Sequence, residues 1–271
     1  MKLPKPLTSF HLRTIALISM FIDHFGKVIL GDLLDASLSV TNAMRASGAL
    51  RDVILVAVHR HQDILRVLYD VSHFIGRMAF PLYCFLLVQG FLYTRSKGKY
   101  ALRLGILAVI SEIPFDLAFQ KTVFEFWNNN VFFSLFEGLL LIWAVSALEA
   151  YCARIDETRR RTAMRMAGTL GLYIVACLLM ACALRSDYSM PGITGILLMY
   201  LLRRRPVLSV GAGCAAVAVL FTSMRQIFGL AALIPVAFYG GEKGPSAKAF
   251  YYLFYPAHLL LLVLLRFLLN I

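Results

Sequence analysis

Long apolar runs separated by short, mostly basic segments set the pattern of this chain. Runs near Phe10–Gly31, Ser72–Tyr93, Tyr100–Phe119, Val131–Cys152, Ala163–Leu184, Pro191–Leu202, Val207–Ser223, Gln226–Tyr239 and Ala249–Leu269 predict nine helices. At roughly 1.5 Å per residue, about 20 apolar residues cross the hydrocarbon of a bilayer, and most of these runs reach or approach that length. The runs between Pro191 and Ser223 are short for a full span, which predicts tilted helices or a re-entrant pair. The expected fold class is all-α, a polytopic membrane helix bundle with about nine transmembrane helices, in one domain over residues 1–271. Neither an internal repeat nor a low-complexity segment divides it.

One connection breaks the pattern. Asp32 to Val71 spans about 40 residues, far above the usual loop length. Its second half, LRDVILVAVHRHQDILRVL, alternates apolar clusters with Arg51, Asp52, His59, Arg60, His61, Asp63 and Arg66. Too many charges interrupt it for a span, so it predicts an amphipathic helix on the outer membrane surface, within an extracytoplasmic insertion over residues 32–71.

Composition agrees with the pattern and excludes a soluble domain. Of 271 residues, 60% are hydrophobic and only 15% charged, against about a quarter charged in soluble domains. The net charge of +12 would otherwise suggest a nucleic-acid partner. Here it follows from topology, since cytoplasmic loops of membrane proteins accumulate Lys and Arg, and no nucleic acid is expected. With the N-terminus inside, cytoplasmic segments hold Lys2, Lys5 and Arg13; Arg95, Lys97, Lys99 and Arg103; Arg154, Arg159, Arg160, Arg161 and Arg165; Arg203, Arg204 and Arg205; and Lys243 and Lys248, which is most of the 27 basic residues. The C-terminus is then extracytoplasmic. Lys2 and Lys5 precede an apolar stretch as in a signal peptide, but without a small-x-small cleavage site that stretch reads as a retained first helix. Cys84, Cys152, Cys177, Cys182 and Cys214 lie in or beside apolar runs, with no CxxC and no His at ligand spacing, so neither disulfide nor metal site is expected.

The chemistry concentrates in the first run, where Asp23, His24 and Lys27 interrupt an apolar helix. An ionisable group near the bilayer centre costs on the order of 2.5–3.5 kcal/mol, so these residues require partners. Counting residues from each helix end places His24, Arg77, Glu112 and Asp116 at one depth, in the outer half. Glu112 and Asp116 share a helix face at i, i+4, with Pro114 between them; Lys27 follows Asp23 at the favourable i, i+4 spacing. Asp23, Glu112 and Asp116 against Arg77 and Lys27 make a nearly neutral network. Polar residues also serve as structural glue in membrane bundles, and such a cluster alone could lock helix packing. His24 adds a side chain that changes charge near neutral pH and is suited to general-base work beside a carboxylate. Asn128, Asn129 and Asn130 read as caps for the helix that follows, Asn130 equally as an oxyanion donor. Asp187, Tyr188 and Arg225 fall at the cavity mouth; Tyr255-Pro256-x-His258 reads as a kink near the inner end of the last helix. Tyr239-Gly240-Gly241-Glu242-Lys243-Gly244 reads as a cytoplasmic turn whose backbone N–H groups could hold phosphate.

Met20-x-x-Asp23-His24, Gly76-Arg77-x-Ala79-Phe80-Pro81-Leu82, Gly90-Phe91-x-x-Thr94-Arg95, Tyr100-x-x-Arg103-Leu104, Ser111-Glu112-x-Pro114-Phe115-Asp116, Asn130-Val131-x-Phe133, Asp187-Tyr188 and Tyr252-x-x-Tyr255-Pro256-x-His258 run in order along nearly the whole chain. Together they resemble the TraX family, membrane acetyltransferases typified by the one that acetylates a conjugative pilin. The resemblance implies an acetyl-CoA-dependent transmembrane acyltransferase and leaves the acceptor open. Two features depart from it. The family usually joins its first two helices by a short link in place of residues 32–71, and tends to carry Tyr-Asn-Gly where this chain has Tyr239-Gly240-Gly241.

On this reading His24 is the general base, Asp23 orients it, Arg77 or Asn130 stabilises the oxyanion, and Glu112 and Asp116 hold Arg77 or grip a cationic acceptor. Arg103, Arg203, Arg204, Arg205 and Lys243 are candidates for the nucleotide phosphates of acetyl-CoA, whose arm would enter from the inner face. The acceptor is an amine or hydroxyl on a peptide, glycan or lipid. The same cluster could instead serve as the relay of a proton-coupled transporter or flippase. An assembly factor without chemistry is a third reading.

Overall fold

The computed structural model describes residues 6–46, 48–155, 157–179 and 186–271. Lys2, Lys5 and Cys182, named above, lie outside the described residues. The fold is about 80% helix, with no strand among the described residues. In order, α1 (Ser9–Phe25) runs into a π-helical turn (Gly26–Gly31) and α2 (Asp32–Ser37), followed by α3 (Asn42–Ala46), α4 (Leu50–Arg60), α5 (Gln62–Gly76) and α6 (Ala79–Tyr93). Then come α7 (Lys97–Phe119), α8 (Val131–Cys152), α9 (Thr158–Leu179), α10 (Ser189–Leu201) and α11 (Pro206–Leu220). A 3-10 helix (Met224–Ala232), α12 (Leu233–Ala237) and α13 (Lys248–Leu269) complete the bundle.

Five of these segments are long and apolar enough to cross a membrane: Ser9–Ser37, Gln62–Tyr93, Val131–Cys152, Thr158–Leu179 and Ala249–Leu269. Ser189–Leu201, Pro206–Leu220 and Met224–Ala237 are apolar but shorter. A membrane protein of several spans is thus established, while the count of nine is not. Outward faces are apolar where a soluble bundle would be charged, as with Ile106, Val109, Ile110 and Ile113 on α7 and Leu261, Leu264 and Phe267 on α13, all exposed. Such faces suit lipid. The core lies between α6, α8, α10 and α11, where Phe85, Phe91, Ile142, Ile193, Ile196 and Tyr200 are almost fully buried.

The two ends of the bundle differ. At one end Leu7 pairs with Tyr239, and the N–H groups of Ser9 and Phe10 donate to the carbonyls of Glu242 and Lys243. This end also carries Lys97, which reaches Ser146 at 3.3 Å, and Arg203, which pairs with Glu149 at 2.8 Å. The Tyr239–Gly244 turn therefore spends carbonyls on the first turn of α1 and caps that helix. At the other end Asp32 meets Lys121 at 3.1 Å and Arg266 at 3.6 Å, and Arg51 Nε donates to the carbonyl of Asn270.

The insertion differs from expectation. LRDVILVAVHRHQDILRVL is broken at His61, with backbone φ −116° and ψ 24°, into two helices. Helix α4 buries Leu55 and Val58 while α5 continues towards α6, so that one apolar segment runs from Gln62 to Tyr93. Asp63, Arg66 and Asp70 interrupt hydropathy there without interrupting helix.

Candidate active site

The site begins at a close crossing of α1 and α5. Gly26 faces Ser72 and Gly76 faces Asp23 so tightly that a methyl group at either glycine would overlap the opposite side chain. Ser19, one turn earlier, donates to the carbonyl of Ile75 across the same seam. Asp23 is thereby pressed against α5 with 7% of its surface exposed. Three donors surround its carboxylate. His73 Nδ1 donates to Oδ1 at 2.8 Å, Arg77 Nη2 approaches that oxygen at 3.5 Å, and Lys27 Nζ pairs with Oδ2 at 3.2 Å. The π-helical turn starts within this segment, as such turns often do at functional positions, and Lys27 lies on it.

Asp23 therefore does not orient His24; its hydrogen bonds go elsewhere. His24 turns to α13, where its Nδ1 lies 2.8 Å from His258 Nε2, the two rings stacked at 10° with centroids 5.1 Å apart. His258 Nδ1 lies 2.8 Å from the carbonyl oxygen of Phe254. A carbonyl can only accept, so that nitrogen carries the proton and Nε2 of neutral His258 is an acceptor. His24 Nδ1 must then be the donor, which leaves the lone pair of neutral His24 on Nε2. Phe119 and Tyr255 hold the His24 ring edge-on.

Asp23, His24, Lys27 and Arg77 line a cavity of about 390 Å³ together with Tyr83, Asn128, Asp187, Tyr188 and Tyr255. Gln120, Asn129 and Ser186 also line it, from loops at the end opposite Lys97 and Arg203. Asp187 and Tyr188 do reach the cavity, with Tyr188 stacked on Phe80 at 3.5 Å; Arg225 does not line it. Among the described residues no His, Cys, Asp or Glu group could hold a metal ion, and Cys84, Cys152, Cys177 and Cys214 are buried free thiols.

Glu112, Asp116 and Asn130 fall outside the cavity wall. Asn130 caps α8 by accepting from the N–H of Phe132 at 2.9 Å, and its Nδ2 is spent on the carbonyl of Ala108 and on Glu112 Oε2. It has no donor left for an oxyanion. Glu112 accepts also from the N–H of Asn130 at 3.2 Å, and Asp116 Oδ2 from the N–H of Glu125 at 2.9 Å. These two carboxylates thus pin both ends of the loop over residues 125–130, and among the described residues Arg77 and Lys27 pair with Asp23, which also accepts from His73.

One residue lies at another depth than expected, and one stood outside the expected set. His258 was placed near the inner end of its helix, whereas ten residues at roughly 1.5 Å put it about 15 Å in, level with His24. His73 escaped notice, although Asp63, Arg66, Asp70, His73 and Arg77 recur at spacings of three and four along one face of α5. That stripe passes from exposed Asp63 and Arg66 to buried His73, and it pointed to the cavity.

Of the basic residues expected to meet phosphates, Arg103 folds back on its own helix, donating from Nε to the carbonyl of Lys99 at 3.1 Å. Arg203 is held by Glu149 and lies over the Tyr200 ring at 4.1 Å. Lys243 sits in the turn that caps α1. Arg204 and Arg205 line a second cavity.

An apolar-faced helix bundle enclosing a histidine-bearing polar cavity defines a multi-pass membrane protein with a buried polar site. Its sequence places it more narrowly. The chain belongs to the TraX family, described as TraX protein, which matches residues 9–266. It is similar to the probable fimbrial assembly protein FimC, serogroup H1, of Dichelobacter nodosus, with 28% identity over 272 residues and 94% of each chain covered. No solved structure matches.

Proposed function

We propose that the protein transfers an acetyl group from acetyl-CoA to an amine or hydroxyl of an extracytoplasmic or membrane-bound acceptor. The observation that carries this reading is the Phe254–His258–His24 chain, which fixes one tautomer and leaves a basic nitrogen on a cavity that Arg77 also lines. His24 Nε2 takes the proton of the acceptor as its nitrogen or oxygen attacks the thioester carbonyl. Arg77 stabilises the oxyanion that forms, while Asp23, itself fixed by Lys27 and His73, holds the guanidinium in place. The tetrahedral adduct collapses as the C–S bond breaks, the acetyl group stays on the acceptor, and His24 returns the proton to the CoA thiolate.

The end rich in Lys and Arg is assigned to the cytoplasm and the end of α13 to the outside, following the charge asymmetry of the loops. The mouth at Gln120, Asn128 and Asp187 then faces the acceptor. The name of the D. nodosus relative favours a fimbrial subunit among the peptide acceptors. For the acetyl-CoA arm to reach His24 from the cytoplasm, the core between α6 and α10 must part. The residues 32–71 that replace the usual short link pack against the π-helical turn that carries Lys27 and are candidates for shaping acceptor entry.

The test is CoA release from acetyl-CoA by the purified protein in detergent, with wild type beside His24→Ala and both checked for monodispersity. Turnover by wild type and none by a folded His24→Ala upholds the proposal. A folded wild type that neither binds acetyl-CoA nor releases CoA overturns it and favours a proton-coupled transporter.

A further inference from the structure

We infer that the cavity between α9 and the α10–α11 turn is a binding site for a phosphate ester. This cavity, of about 330 Å³, is lined by Arg165, Arg203, Arg204, Arg205 and Glu149. Its single acid is already satisfied. Glu149 Oε2 accepts from Arg203 Nη2 at 2.8 Å and from the Tyr200 hydroxyl at 3.0 Å. Arg203 is fixed further by the Tyr200 ring and by donating to the Tyr200 carbonyl at 3.0 Å. Arg165, Arg204 and Arg205 have no ion-pair partner among the described residues, so three guanidinium groups surround one concavity with no free carboxylate.

Topological charge bias explains arginine in this loop but not a cavity ringed by it. Helix α11 begins at Pro206, so the positive end of its dipole faces the same turn. Guanidinium forks match phosphate oxygens two at a time, which a carboxylate-free pocket of this size can use fully.

Two sources share that chemistry: the bisphosphorylated nucleotide end of CoA, and the headgroup of an anionic phospholipid in the inner leaflet. The first rests on the acetyl-transfer reading and the second does not. Helix α10 spaces this cavity from the His24 cavity, with Leu201 lining one and Tyr188 lining the other. Its 13 residues put the two about 20 Å apart along the bundle, of the order of the arm by which CoA carries its thioester. The packed core between them allows binding here to be measured apart from chemistry at His24.

The experiment uses the full chain in nanodiscs of neutral lipid, with adenosine 3′,5′-bisphosphate as probe and Arg165→Gln/Arg204→Gln as the variant. Thermal unfolding checks the fold of the variant. The expected result is salt-sensitive binding by wild type, weakened at least tenfold in the variant and unchanged in His24→Ala. In a second arm, discs containing phosphatidylglycerol are analysed by native mass spectrometry. Anionic lipid retained by wild type and lost from the variant, without bisphosphate binding, upholds the site and assigns it to a headgroup. If neither probe distinguishes a folded variant from wild type, the inference is overturned. Bisphosphate binding by a wild type that releases no CoA would remove acetyl transfer and leave the site standing.

Discussion

Replacing His258 by Phe tests the tautomer argument directly. Phenylalanine keeps a flat ring against Phe254 and Phe21, which now contact the imidazole at centroid distances of 4.9 and 6.1 Å, and removes the acceptor Nε2 together with the Nδ1–H that donates to the carbonyl of Phe254. Without the acceptor, neutral imidazole at His24 reverts to its intrinsically favoured form, with the proton on Nε2, and can no longer take one there. The transition state loses more than the ground state, because His24 becomes cationic as it accepts the proton and its Nδ1–H bond to His258 becomes charge-assisted. A hydrogen bond to a charged group contributes about 1.5–3 kcal/mol. A loss of about 2–3 kcal/mol corresponds to roughly 30- to 160-fold in rate at about 1.36 kcal/mol per decade. The expected outcome is a fall of that size in kcat for CoA release, with KM for acetyl-CoA unchanged. His258→Gln, whose amide oxygen can accept from Nδ1, should recover part of it. A monodisperse His258→Phe within threefold of wild type would refute the argument.

Other consequences are equally specific. Gly76→Ala should drive the Asp23 carboxylate off His73 and Arg77, lowering stability by about 1–3 kcal/mol and abolishing turnover; thermal unfolding and CoA release read the two effects. Asp23→Asn leaves Arg77 and Lys27 without their counter-ion and should cost on the order of 3 kcal/mol, seen as a lowered unfolding midpoint in detergent, with His73→Gln costing less because one donor is retained. Asn130→Ala should lose about 1 kcal/mol from the α8 cap and more from the stranded Glu112, yet at temperatures where it is folded its kcat should stay near wild type. A kcat loss as large as that of His24→Ala would restore Asn130 to the chemistry.

Helix limits were legible because apolar runs end in charge. The reading at Val131–Cys152 agrees with α8, and that at Ala249–Leu269 with α13 to within one residue. Depth was legible for His24 and Arg77, which were expected together and line one cavity, but not for His258. Direction around a helix axis was not. Glu112 and Asp116 share the face expected from their spacing, but that face looks at the loop before α8 and not at Arg77, a fact that depends on neighbours no periodicity reports. The π-helical turn at Gly26–Gly31 has no composition signal of its own. Asp23 beside His24 invited a local pairing, whereas adjacent residues on a helix point about 100° apart and found partners on α5 and α13 respectively.

The partner of His24 comes from the far end of the chain, 234 residues later. The first turn of α1 likewise waits for the carbonyls of Glu242 and Lys243. During synthesis, then, the first helix must enter the bilayer with its polar residues before either His258 or its own cap exists. Only Lys27 is available at once; His73 and Arg77 follow next and can neutralise Asp23 while the ribosome is still at work. The imidazole acquires its orientation last, when α13 docks. Loss of that closing helix should therefore yield an inserted, helical, inert protein, a state that proteolysis and helicity would score as folded while the chemistry is silent.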